Sequence, residues 1–138
     1  MRTRLIGRTL GVASLQAGSL YGRRKILYND EVTLCGASAY EQKYYFNEDF
    51  ATLPQGIQED LQIMCVLYTE DVGGVLTLFF DEDGNLEFRV ESEESDFTFD
   101  EIGSVLKIKQ IQQTKQELLE ALEAYYKVFF VGEGDYAT

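Results

Sequence analysis

The chain has 138 residues, 45% of them apolar, with eighteen Phe and Tyr, no His and a formal charge of −12. That size and apolar content suit a self-supporting core and lie outside the composition of disordered chains. Without His the chain lacks the commonest general base, the usual partner of a Ser or Cys nucleophile and the commonest transition-metal ligand, so most catalytic templates lapse.

The charge is unevenly spread. Residues 1–29 carry Arg2, Arg4, Arg8, Arg23, Arg24 and Lys25 and no acid, whereas the remainder holds 24 acids against six bases, a net of −18. We therefore expect a basic, mobile N-terminal segment over 1–29 and a single acidic domain over 30–138. The basic segment has the composition of a transit peptide, and GRRKIL echoes a twin-arginine signal, but no uninterrupted apolar run follows the charges, as export requires. Nor does any stretch reach the eighteen apolar residues of a spanning helix. The expected location is cytoplasmic. A −18 body repels phosphates, which argues against nucleic-acid binding.

EVTLC, residues 31–35, alternates as a short half-buried strand does. In AYEQKYYFNEDF, Tyr40 and Tyr44 are four apart, as are Phe46 and Phe50, a spacing that predicts a helix over about 38–46 with these rings toward the core. Lys43 and Tyr45 then remain as the side chains able to face a ligand. Pro54 suits a first helical turn, and Ile57, Leu61, Met64, Cys65, Tyr68 and Val72 recur at helical spacings, predicting an amphipathic helix over 54–72 that Gly73 and Gly74 end.

VLTLFF-DEDG-NLEFRVE predicts a β-hairpin over 75–91, with the doubly apolar first strand the more central and Glu87, Arg89 and Glu91 on a wet face. Asp81, Asp83 and Asn85 place oxygens at alternate positions, as calcium loops do. However, Leu86 stands where an EF-hand turn needs Gly, and Ser92 where it needs Glu, so a hairpin turn explains the loop better. ESEESD reads as an acidic loop in which Glu93, Glu94 and Asp96 could meet a basic protein partner. Thr98 with Glu101 can form a capping box, and Phe97 with Ile102 a hydrophobic staple, opening a helix over 99–131 whose apolar stripe only Lys115 interrupts.

Cys35 and Cys65, thirty apart, form no CxxC or zinc cluster and read as two buried reduced thiols, a structural disulfide being the alternative. No cofactor motif is present. The fold class expected is α+β, a small antiparallel sheet on the 75–91 hairpin, with 31–35 as a third strand and the helices packed mainly on one face. Leu76, Leu78, Phe80, Leu86, Phe88, Val90, Ile108, Ile111, Leu118 and Leu122 should be buried.

AYEQKYYFN (39–47), QIMCVLYTEDVGG (62–74), FFDEDGNLEF (79–88) and DEIGSVLKIK (100–109) together resemble a family of small acidic bacterial proteins of unknown function, over about Glu31 to Phe130. Residues 1–30 depart from that pattern, and the resemblance implies no activity, cofactor or partner. Read from the residues, the chain is first a non-catalytic, cytosolic interaction or regulatory module whose acidic surface engages a basic partner. A small-molecule binder or carboxylate-dependent enzyme with a Tyr-lined pocket comes second. A mimic of a nucleic-acid polyanion comes third.

Overall fold

A doubly apolar run and an alternating run joined by an Asp-Gly turn produce the hairpin of β4 (Val75–Phe80) and β5 (Leu86–Glu91), paired antiparallel from Val75 opposite Glu91 to Phe80 opposite Leu86. In the computed structural model, which describes residues 2–6 and 31–131, this hairpin is the middle of a five-stranded sheet. The other strands are β1 (Arg2–Ile6), β2 (Val32–Ser38) and β3 (Lys43–Phe46), in the order β1-β5-β4-β2-β3. As its doubly apolar sequence requires, β4 lies between two neighbours, every one of its residues buried. Of the basic segment, residues 2–6 pair in parallel with β5; the mobility expected for 7–29 falls outside the described residues.

Among the described residues, three helices, α1 (Gln55–Val72), α2 (Glu101–Thr114) and α3 (Gln116–Tyr126), complete an α+β fold. They share one core with a single sheet face. Leu76, Leu78 and Phe80 of β4 and Leu86, Phe88 and Val90 of β5 meet Leu61, Met64, Cys65 and Tyr68 of α1, Ile108 and Ile111 of α2, and Leu119, Leu122 and Tyr126 of α3. The outward set of β5 departs from the wet face expected of it. Glu87 and Glu91 are buried, and the Arg89 guanidinium lies 4.2 Å from the Phe79 ring centroid while holding both Glu31 oxygens at 2.7 and 2.8 Å. Stacking and an ion pair, in which one guanidinium nitrogen donates to both carboxylate oxygens, let that arginine stay beneath the surface.

Two segments differ from the expected elements. Residues 38–46 are not a helix: β2 runs on to Ser38, Ala39–Gln42 turn the chain, and β3 returns along β2 from Ser38 opposite Lys43 to Cys35 opposite Phe46. Tyr44 and Phe46 face the core because they alternate in a strand, and Phe50 arrives there from the short 3-10 turn Glu48–Phe50. The predicted 99–131 helix is broken at Lys115, whose φ of −114° and ψ of 24° leave the helical region, and it ends in a π turn, Lys127–Val131. The kink fixes which of two adjacent leucines enters the core: Leu119 is fully buried and Leu118 only half-buried. Nor do Phe97 and Ile102 form a staple, both being largely exposed. Asp100 caps α2 by accepting from the Gly103 amide at 2.8 Å, while Thr98 folds back onto the Asp96 carboxylate.

An aromatic stack closes the far end of the core. Phe80 and Tyr126 lie nearly parallel with centroids 4.1 Å apart, and Phe50 stacks on Phe130 at 4.5 Å and on Phe80 at 5.7 Å. Offset aromatic pairs add about 0.5–1.5 kcal/mol each beyond their area burial, so this cluster fastens the 3-10 turn and the chain end of the helices to the sheet.

Candidate functional site: a cleft between the β2–β3 hairpin and α1

The tip of the β2–β3 hairpin stands away from the side of α1 and leaves a cleft of about 620 Å³. Its hairpin wall is Ala37, Ser38, Ala39, Gln42, Lys43 and Tyr44, and its helix wall is Gln62, Val66, Thr69 and Glu70. The helix wall follows from periodicity, since 62, 66, 69 and 70 are spaced by four, three and one and occupy one stripe beside the core-facing stripe. Lys43 and Glu70 bring opposite charges to one opening, and Gln42 and Gln62 add amides able both to donate and to accept.

Gln42 has a φ of 53° and is, among the described residues, the one non-glycine in the left-handed region. That conformation costs a side-chain-bearing residue about 1–2 kcal/mol and persists only where the surroundings impose it. Here it turns the chain so that Lys43 can pair with Ser38.

Tyr44 forms the inner wall. Its hydroxyl is buried beside Cys35 and Cys65 with no conventional hydrogen-bond partner among the described residues, and burial followed by the two thiols pushes its ionisation far upward. Tyr40 has a different task. Its hydroxyl donates to Asp96 at 2.6 Å and accepts from the Glu93 amide at 3.0 Å, so it ties the acidic loop to the hairpin tip instead of entering the core. Burial and then the Asp96 contact raise the Tyr40 hydroxyl to about 12, and the Tyr40 hydrogen bond holds Asp96 below the usual carboxylate range.

Tyr68, buried on α1 with its hydroxyl 2.6 Å from Ser104, is likewise pushed to about 12, mainly by burial. An unfolded chain loses such protons near 10.0, whereas the fold retains them to about 12. The stability they confer is therefore fully present below pH 10 and lost as the pH rises through 12. We expect the urea midpoint to be level through neutral pH and to fall steeply on the alkaline side of 10, together with a late, unfolding-linked rise in tyrosinate absorbance. Smooth titration of every tyrosine in the native state near 10 would contradict this.

The other residues singled out by sequence are dispersed. Tyr45 is half-buried on β3 and does not line the cleft, whereas Lys43 does. At the hairpin turn, Asp81 Oδ1 accepts from the amides of Asp83 and Asn85, each at 2.9 Å, so that oxygen is engaged in holding the turn. The turn is further tied to α3 by the Leu86 amide donating to Glu123 at 2.7 Å. Among the described residues no group of three or more His, Cys, Asp or Glu side chains is placed to hold a metal ion. Glu93 and Glu94 are exposed, while Asp96 turns inward to Tyr40 and Thr98. Sequence reasoning missed Gln62, Thr69 and Glu70; their shared stripe was visible, but a polar helix stripe ordinarily faces water and marks no site.

Residues 31–134, well over half of the chain, match the family model described as a family of unknown function, DUF6145. The chain belongs to that family. The matched span begins at the entrance to β2 and takes in both walls of the cleft, the hairpin and all three helices. Comparison with curated proteins returned no match, and neither did comparison with solved structures. Among the described residues no helix is long and apolar enough to cross a membrane.

Proposed function

We propose that the protein is a non-catalytic binding module whose site is the cleft between the β2–β3 hairpin and α1. The observation that carries this reading is the convergence of Lys43, Glu70 and two glutamines on one opening of about 620 Å³, at a tip held by the strained Gln42. That volume lies within the range of small-molecule sites. The donor set suits a compact polar ligand with an anionic group for the Lys43 ammonium and an amide, hydroxyl or ammonium group for Glu70. A cytoplasmic setting, where thiols are kept reduced, accords with the two free cysteines beneath the cleft.

The test is a titration of isotope-labelled protein, followed by amide chemical shifts, with amino acids, small dicarboxylates and sugar phosphates. Saturable shifts confined to 37–44 and 62–70 are expected for one of these classes. Lys43→Ala should weaken that binding by about tenfold or more, the worth of one charge-assisted hydrogen bond. Saturable shifts clustered elsewhere, or none with any class, would refute the reading.

A second site of contact is favoured by the Tyr40 bracket. By fixing Asp96 and the Glu93 amide, it presents the exposed Glu93 and Glu94 carboxylates on an ordered loop, a surface suited to a basic protein partner.

A further inference from the structure

We infer that Cys35 and Cys65 are a covalent modification site, a dithiol placed to close into an intramolecular disulfide that pins α1 to β2 beneath the cleft. These are the chain's two cysteines, thirty residues apart, and the fold brings their sulfurs to 3.8 Å with both side chains fully buried. Cys35 belongs to β2 and Cys65 to the buried stripe of α1, so a bond between them would join two separate layers of the fold.

A disulfide needs its sulfurs about 2.05 Å apart, so closure asks for an approach of roughly 2 Å, within the compass of side-chain rotation and a small helix shift. The local backbone helps. The pairing of β2 with β4 slips between Thr33 and Cys35, a bulge that aims Cys35 toward the helix together with Leu34. Tyr44, which lines the cleft, lies against both thiols, so their redox state bears directly on the cleft's inner wall.

A small neutral hydroperoxide is the oxidant suited to a buried pair. One cysteine sulfur attacks a peroxide oxygen and the O–O bond breaks. The thiol proton joins the departing hydroxide as water, leaving a sulfenic acid. The second sulfur then attacks the sulfenyl sulfur, the S–O bond breaks, and hydroxide leaves with the second thiol proton as water. Two thiols and one hydrogen peroxide thus give one disulfide and two waters, the sulfurs losing the two electrons that the peroxide gains. The Cys35 contact and burial hold the Cys65 thiol protonated, so the reaction answers sustained rather than brief oxidation.

The test is intact-mass and alkylation analysis of the full chain after hydrogen peroxide, quenched in denaturant. The expected result is a monomer lighter by two hydrogens, with neither thiol open to alkylation, a cross-linked Cys35–Cys65 fragment on digestion, and full reversal by a dithiol reductant. The oxidised protein should also have a raised urea midpoint, and Cys65→Ala should not lose two hydrogens. Two alkylatable thiols after treatment, gain of oxygen atoms without cross-linking, a disulfide-linked dimer, or a midpoint that stays put or falls on oxidation would each overturn the assignment.

Discussion

Phe50→Ala is expected to lower stability by about 3–5 kcal/mol, the range for emptying a buried aromatic site. The ring is fully buried and is the hub of the stack, in contact with Phe80, Tyr126 and Phe130 together. Its removal opens a hole bordered by three rings from three separate elements. Collapse would require moving β4 or the chain end of α3, so relaxation recovers little of the loss. Phe97→Ala is the control, its ring being 91% exposed; that substitution should fall within about 0.5 kcal/mol of the parent. Urea denaturation of both variants, with slopes compared to confirm two-state unfolding, decides the matter. Similar midpoints for the two would remove Phe50 from its place in the core.

A second large effect is expected from a methyl group at Gly74. This residue has a φ of 75°, and a Cβ built there would lie 2.7 Å from the Glu91 carbonyl oxygen and 2.8 Å from the Phe99 ring. Its own carbonyl accepts from the Ala39 amide at 2.9 Å, a bond that opposes the backbone rotation needed to make room. Left-handed strain and overpacking together should make Gly74→Ala cost about 2–4 kcal/mol. Gly56 supplies the contrast. It lies inside α1, where an added Cβ meets nothing within 4 Å, and Gly56→Ala should stabilise by about 0.5–1 kcal/mol through reduced freedom of the unfolded chain. Opposite signs for the same chemical change are the expected signature, and thermal or urea unfolding reads both.

Much of this architecture was legible before any coordinates. The β4–β5 hairpin announced itself because a short apolar run and an alternating one flank an Asp-Gly turn, and α1 because Leu61, Met64, Cys65, Tyr68 and Val72 fit the 3.6-residue period and not the two-residue one. The misreading of 38–46 has a definite cause. A spacing of four, as between Tyr40 and Tyr44, is close to one helical turn and is also two full strand repeats, so it cannot separate the two. The deciding pair was Tyr44 and Phe46, two apart, both packed against the core. In the long C-terminal stretch Ile108, Ile111 and Leu122 were readable as core, but beyond Lys115 the expected stripe passed through Leu118, where the structure buries Leu119 and Tyr126; lysine is a good helix former, and one polar residue in an apolar stripe does not by itself mark a kink. Choosing between Leu118 and Leu119 depends on that kink.

A pocket near Lys43 and a link between the two cysteines could be read from the sequence only as alternatives, for a different reason. Each joins residues from separate elements, Lys43 with Glu70 and Cys35 with Cys65, so their proximity is a product of topology and not of local pattern.

The break at Lys115 carries a practical consequence. Gln113, Thr114, Lys115, Gln116 and Glu117 are all exposed, and the joint separates a helix seated on α1 from one seated on the sheet and its aromatic stack. Lengthening a continuous helix by one residue swings everything beyond it through about 100°, but at an existing joint the new residue can be looped out while both buried stripes keep their registers. This is where the chain can accept a reporter group, an affinity tag or new termini with the least disturbance to cleft and core.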